Sequence, residues 1–276
     1  MKPAPVVNIA AYCFATLSDL PALRVSLRTL CDAHQLRGTI LISPEGINIF
    51  VAGQREAVDA LLYCVRLFPG CAHIEVKESF SDEQPFNRML VKIKREIIAF
   101  GVPGIAPQNH TSRRLPASEL KRWLDEGKPV TLLDTRNDFE VRVGTFEQSV
   151  TVGINDFRSF PKAIAKLPPD MRHRPVVTFC TGGIRCEKAA PFLEREGFTD
   201  VYQLDGGILK YFEQCGSAHF TGDCFVFDKR VALDATLTPS RFKQCYNCQA
   251  VLTDADQTSA HYVEGASCPH CVRIEK

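Results

Sequence analysis

No uninterrupted apolar run in the 276-residue chain approaches the roughly 18 residues of a membrane span, so no contact with a membrane is expected. The opening residues MKPAPVVNIAAYCF carry one lysine, and their apolar run is broken at Asn8 and followed by acidic Asp19. A secretory signal is therefore not expected, and the expected location is the cytoplasm. A charge excess is also missing: 33 Lys+Arg against 32 Asp+Glu leave a net charge of +1. The domain-wide basicity that often marks nucleic-acid binders is absent, although a local patch is enough to steer an anion. No flavin, haem, nicotinamide or two-His-one-carboxylate iron signature stands in the chain. What remains, at 45% hydrophobic and 24% charged, is an ordinary globular composition, long enough for two domains.

Cysteine is the surplus, with twelve residues. In a reducing cytosol disulfides are rare, and clustered cysteines point to metal binding or catalysis. Cys13, Cys31, Cys64 and Cys71 stand among apolar residues and are expected to pack as small hydrophobes. The others of interest fall in two places, around Cys180 and near the C-terminus.

Residues 6–16 read as a strand, after which Ser18 or Asp19 caps a helix to about His34 with Pro21 in its first turn. RGTILIS and INIFVAG follow as β-rich runs around Pro44-Glu45-Gly46, then helical spacing over 54–68, then the strand AHIEVKESF. The order β-α-β-β-α-β predicts a ferredoxin-like (split βαβ) α+β domain over residues 1–95. Val91 to Phe100 is expected to be extended and carries Lys92, Lys94 and Arg95. Residues 96–115, rich in Gly, Pro and polar side chains and carrying Arg113 and Arg114, read as a basic linker. These five cations are either solvated surface or a groove for phosphates.

Residues 116–218 form a second unit of the α/β class. A helix over 117–126 precedes the strands PVTLLD and PVVTFC, which lack polar alternation, as expected of parallel strands buried on both faces. PKAIAKLP is a short helix between them. Glu187 to Glu196 is a helix stopped by Gly197, and DVYQLDGG adds a strand and turn. Residues 219–276 form a Cys-rich C-terminal region, and its last 50 or so residues are loop-rich and carry four cysteines.

Within PVVTFCTGGIRCEK, Cys180 ends a buried strand ahead of two glycines, Arg185 and Cys186. Disulfide, metal corner, phosphate cradle and sulfur nucleophile all have to be weighed. A strand-to-helix turn in a parallel sheet is where α/β proteins place ligands. Successive amides of Thr181 to Arg185 ring an anion site, glycines permit the required backbone angles, and the helix dipole with Arg185 favours thiolate over thiol. The C-x4-R spacing is one residue shorter than the C-x5-R of cysteine phosphatases, which suits a sulfur atom better than a phosphoryl group.

CTGGIR resembles the active-site loop of rhodanese domains. DTRNDFE, with Asp134, Arg136 and Glu140, resembles their D-x-R-x-x-x-E signature, and LDGGILKYFE resembles their closing Gly-Gly segment. One element departs from the pattern: GTFEQS stands where G-H-I-x-G-A is usual, with Thr145 in place of histidine. Outside that domain, PEGIN, FNRMLVKIKREI, GVPGIAPQNHTSRRL, CTGGIRCEKA and FVFDKRVA together resemble the tRNA uridine(34) hydroxylase family over nearly the whole chain.

That resemblance implies an enzyme installing a 5-hydroxyl on the wobble uridine of tRNA. It brings molecular oxygen as co-substrate, tRNA as partner and an electron donor of unknown identity. By matching position Cys180 is the catalytic cysteine, acting as a nucleophile on uracil or through an oxidised or persulfide form. Arg185 stabilises its thiolate. Cys186 is a resolving thiol or a helix-start residue packed under the loop. Asp134 and Arg136 brace the loop, and Lys92, Lys94, Arg95, Arg113 and Arg114 are the tRNA-binding candidates. The loop alone also suits a thiosulfate or persulfide sulfurtransferase or sulfur carrier. A non-catalytic RNA- or protein-binding scaffold is a third reading, which the intact Cys180–Arg185 pair argues against.

Cys245-x2-Cys248, nineteen residues, then Cys268-x2-Cys271 has the spacing of a zinc ribbon. Four thiolates close a tetrahedral structural zinc site that folds the tail. His261 or His270 in place of one cysteine, and two local disulfides, are the alternatives.

Overall fold

Alternation along the first strand decides how the N-terminal half is layered. The structure, a computed structural model, describes residues 5–245 and 247–272. In it β1 (Val6–Phe14) sends Val7, Ile9 and Ala11 into a core, leaving Asn8, Ala10 and Tyr12 on the opposite face. Helices α1 (Leu20–Ala33) and α2 (Arg55–Arg66) supply the other side of that core through Leu27, Cys31, Val58, Leu61, Leu62 and Val65. Asp19 caps α1 by accepting from the amide of Ala22 at 3.3 Å, with proline in the first turn.

With β2 (Arg37–Ser43), β3 (Gly46–Gly53), β4 (Val76–Ser81) and β5 (Met89–Ile93), the sheet order is β4-β1-β3-β2-β5. The first four strands pair antiparallel in the expected split-βαβ arrangement, and β5 adds a parallel edge to β2. The extended run expected over 91–100 stays in the sheet only to Ile93. Beyond it Glu96 turns the chain by accepting from the amides of Phe100 and Gly101 at 3.0 Å.

The segment 96–115, read from composition as a linker, is packed against both halves. Ile97 is held between Glu45 and Asn48 of the first sheet. Phe100 belongs to a core of the second unit, stacked on Phe157 at 4.9 Å and set edge-on to Phe192 at 5.6 Å. Its last residues form strand β6 (Arg113–Leu115).

The second unit continues through α3 (Ala117–Asp125), β7 (Thr131–Asp134), α4 (Asp138–Val141), β8 (Gly144–Phe146), β9 (Val150–Thr151) and α5 (Phe160–Ile164). Then come β10 (Val176–Phe179), α6 (Cys186–Arg195), β11 (Val201–Leu204) and α7 (Gly207–Cys215). The parallel sheet runs β6-β11-β10-β7-β9, and every residue of the central β10 is fully buried. Val177 and Phe179 enter one apolar cluster and Val176 the other, which explains the absence of polar alternation. In the tail, β12 (Phe220–Gly222) pairs with β8, β13 (Cys224–Phe225) with β14 (Ala232–Leu233), and β15 (Lys243–Gln244) with β16 (Val251–Leu252) ahead of α8 (Asp254–Gln257).

Two buried ionic residues at the start of α6 fix the halves to each other. Lys188, 1% exposed, donates to Glu45 at 2.9 Å, to Glu96 at 2.8 Å and to the Ile98 carbonyl at 3.1 Å. Glu187 accepts from Tyr12 of β1 at 3.1 Å, from Arg114 at 2.7 Å and from Thr111. A charge this buried is tolerated only when fully partnered. No helix among the described residues is long and apolar enough to cross a membrane.

Candidate active site

Cys180 leaves β10 at its C-terminal end, and the loop after it is held from outside by its carbonyls. The amides of Ile208 and Leu209, in the first turn of α7, donate to the carbonyls of Cys180 and Thr181 at 3.0 and 3.1 Å. With the carbonyls tied outward, the loop amides face the sulfur, and Gly183 N–H donates to Cys180 Sγ at 3.1 Å. Gly183 adopts φ +98° and Gly207 φ +69°. A Cβ on residue 207 would stand 2.5 Å from the Cys180 carbonyl, so the Gly-Gly segment after β11 is what lets α7 approach the loop.

Burial alone would raise the Cys180 thiol. It is outweighed by a hydrogen bond from Cys186, the charge of Arg185 and the amides of Arg185 and Gly183, which together hold the group at about 6. Cys186 moves the opposite way: burial and its bond to Cys180 push it well above the ordinary thiol range. Near neutral pH the pair therefore holds one proton, on Cys186, and the charge sits on Cys180. Cys186 also packs against Thr135 Oγ1 at 3.9 Å.

Burial works against the Arg185 guanidinium, and Glu140 and the Cys180 thiolate more than compensate. Its Nη2 donates to Glu140 Oε1 at 2.9 Å, while its buried Nη1 has no partner. Glu140, fully buried, is itself oriented by the Asn137 amide at the start of α4. Behind it Arg136 forms a fully buried pair with Asp134 at 2.7 Å and donates to the Gly144 carbonyl. Thr145, where histidine is usual in rhodanese domains, donates to Asp134 Oδ2 at 2.8 Å and so joins the same brace.

These fields set a measurable titration. The alkylation rate of Cys180 by a small haloacetamide is expected to rise with pH through a midpoint near 6 and then level off. Cys186→Ala removes the donor to the sulfur, so its midpoint is expected to move up toward the ordinary thiol value of about 8.5. An unchanged midpoint in that variant would contradict the shared-proton pair.

The loop opens into a cavity of about 690 Å³ whose far wall is the uncovered face of the first sheet, including Asn8, Tyr12, Asn48 and Lys77. Lys94 and Arg95 line it, whereas Lys92 lies exposed on the edge strand outside it. Arg113 and Arg114 are not brought there. Arg113 is paired with Asp200 and lies over the Tyr202 ring, and Arg114 is engaged by Glu187 and Asp205. Two cations that sequence patterns did not single out, Lys77 and Arg158, line the cavity as well. Lys77, Lys94, Arg95 and Arg158 have no ion-pair partner among the described residues. Three of the four lining carboxylates are already neutralised, in the pairs Glu78–Arg55, Glu96–Lys188 and Asp228–Arg230. The cleft is thus locally basic in a chain of net charge +1. Burial pulls Lys77 below the usual lysine range. Two-residue alternation along β4 was the available signal for Lys77, but it does not say which face meets the second unit.

The four C-terminal cysteines converge. Their sulfurs all lie within 4.8 Å of one another, with Cys245–Cys271 at 3.9 Å and Cys248–Cys268 at 3.5 Å. Tetrahedral zinc with Zn–S of about 2.3 Å requires S–S edges of about 3.8 Å, so the donor set fits. His270 pairs instead with Asp256 at 3.1 Å, and neither it nor His261 joins the cluster. Of the other cysteines, Cys31 and Cys71 are buried, Cys64 is half-buried, and half-buried Cys13 donates to the Gly70 carbonyl at 3.2 Å.

Residues 6–97 match the family described as UPF0176 acylphosphatase like domain, and residues 116–214 match the rhodanese-like domain. A solved rhodanese-like domain from Anabaena sp. is 23% identical and covers 40% of this chain and 80% of its own, with a TM-score of 0.34. A protein of Cupriavidus necator named tRNA uridine(34) hydroxylase is 52% identical over 272 residues, covering 97% of this chain and 96% of its own. A Ralstonia nicotianae protein of the same name is 52% identical over 271 residues, covering 96% of each. On identity of that level over nearly the entire length, the chain belongs to the tRNA uridine(34) hydroxylase family.

Proposed function

We propose that this protein hydroxylates carbon 5 of the wobble uridine of tRNA, with molecular oxygen as co-substrate and Cys180 as the reacting thiolate. The observation that carries the reading is a sulfur held at about 6 at the floor of a basic cleft, in a member of this family. The reaction is then of the monooxygenase type. The C5–H bond breaks, C5 bonds to one oxygen atom, and the second oxygen leaves as water with two electrons and two protons from a donor. Addition of the thiolate to the uracil ring would make C5 electron-rich, which is the role a covalent nucleophile plays here. Arg185 keeps the sulfur charged, Cys186 holds the proton, and Asp134, Arg136 and Glu140 brace the loop. Lys77, Lys94, Arg95 and Arg158 take the anticodon phosphates, by charge and not by base readout. The working place follows the substrate, in the cytoplasm.

The test is mass spectrometry of purified tRNA incubated with the protein, a reductant and air. A gain of one oxygen at position 34 is expected. Absence of that product in every condition, together with loss of thiolated nucleosides from a strain lacking the protein, would favour the sulfur-carrier reading instead.

For the tail, we propose one structural zinc ion held by Cys245, Cys248, Cys268 and Cys271. A closed four-sulfur shell leaves no open position, so the metal folds the tail and takes no part in the reaction. Purified protein is expected to hold about one zinc per chain and to lose it in Cys268→Ser, with tail amides exchanging faster. Metal-free protein with a protected tail would contradict the site.

A further inference from the structure

Resting on the function proposed above, the geometry points to Phe227 as the platform on which the flipped-out uracil stacks beside Cys180. Phe227 is 46% exposed, on the cavity wall, although it is a large apolar ring in a segment whose other members are well used. Two residues earlier Phe225 is 3% exposed and packs on Phe139 and on Phe227, the latter at 5.1 Å. Phe50 on the first sheet approaches Phe227 at 6.2 Å, and the Arg185 guanidinium lies 5.8 Å from its ring centre. The ring therefore stands beside the arginine that charges Cys180, between the two walls of the cleft.

Its backbone is held on both sides. Thr181 of the cysteine loop donates to the Phe225 carbonyl at 3.3 Å. Arg230 is paired with Asp228 at 2.6 Å and donates to Ser79 of β4 at 2.6 Å, and the Lys229 amide donates to the Pro85 carbonyl. An exposed aromatic on a rigid strap, in the cleft that Cys180 opens into and that Lys77, Lys94, Arg95 and Arg158 also line without ion-pair partners among the described residues, has the chemistry of a base-stacking site. Single-stranded bases are bound by ring stacking, and enzymes acting on a base first draw it out of its stack. The surrounding cations take the phosphates, and Phe227 takes the ring, independent of base identity.

The test uses full-length protein carrying Cys180→Ser to prevent turnover, and a 17-nucleotide anticodon stem-loop with either uridine or an abasic site at position 34. Phe227→Ala is expected to weaken binding of the uridine loop about tenfold or more and to leave abasic-loop binding unchanged. Phe227→Leu, which keeps apolar volume without the ring, is expected to behave like the alanine variant. The chain has a single tryptophan, Trp123, which is 7% exposed in the core. Phe227→Trp therefore places an indole reporter in the cleft. It is expected to retain binding and to be quenched by the uridine loop and not by the abasic one. Equal ratios of uridine to abasic affinity in wild type and Phe227→Ala, or Phe227→Trp emission indifferent to the base, overturn the platform. Hydroxylation of tRNA by the unmutated protein, run in parallel, separates the two levels. Hydroxylation without base-dependent effects at Phe227 defeats the platform alone, and no hydroxylation under any donor defeats the functional reading and the platform with it.

Discussion

Cys180→Ser is expected to lower tRNA hydroxylation to less than about a thousandth of wild type while leaving the fold and RNA binding intact. The replacement is nearly isosteric at a site that is 1% exposed, so packing changes little. What changes is charge. The amides, Arg185 and Cys186 together bring a thiol to about 6. A hydroxyl starts far higher and stays neutral in the same field. The variant thus keeps the cradle and loses the proposed nucleophile, and single losses of nucleophile are typically among the largest in enzymes. Turnover and stem-loop binding measured on one preparation separate the two. Turnover within tenfold of wild type would remove the thiolate from the mechanism.

The second large effect is on stability. Glu140→Ala is expected to cost about 3–5 kcal/mol, because it leaves the Arg185 guanidinium buried without its carboxylate. A fall in Tm on the order of 10 °C is expected for a domain of this size. Glu140 also accepts from the Asn137 amide, so α4 loses its capping partner in the same step. Glu140→Gln keeps a carbonyl acceptor in nearly the same place and should recover part of the loss. Thermal unfolding followed by circular dichroism reads both, and a Glu140→Ala Tm within 2 °C of wild type would contradict a structural role for the pair.

Much of the fold was legible because local patterns and tertiary demands agree. The two-residue and helical periodicities of residues 6–81 lead to β1 through β4 with α1 and α2. The lack of polar alternation in β10 reports burial on both faces. The cysteine loop was legible for the same reason, since its glycines, arginine and helix start are consecutive in the chain. The cleft was not, because it is made by juxtaposition. Nothing in VKESF says that Lys77 lies on the face that meets the second unit. Nothing in FVFDKR says that Phe225 is buried and Phe227 left open. Arg113 and Arg114 make the same point: adjacent in a polar stretch, they are engaged by carboxylates distant in sequence, at Asp200, Glu187 and Asp205, which no local pattern announces. The positions of Glu187 and Lys188, one and two residues after Cys186, acquire a reason only in three dimensions, as the fastening between the halves. The tail cysteines, by contrast, needed only their spacing.

The central claim is that this cleft places an oxygen atom from dioxygen on the wobble uridine through Cys180. Incubating the protein with tRNA and a reductant under ¹⁸O₂, followed by nucleoside mass spectrometry, tests it most directly. The account predicts hydroxyuridine at position 34 heavier by about 18 mass units than uridine, formed by wild type and not by Cys180→Ser. Product carrying only ¹⁶O, or labelled product formed equally by Cys180→Ser, would contradict it.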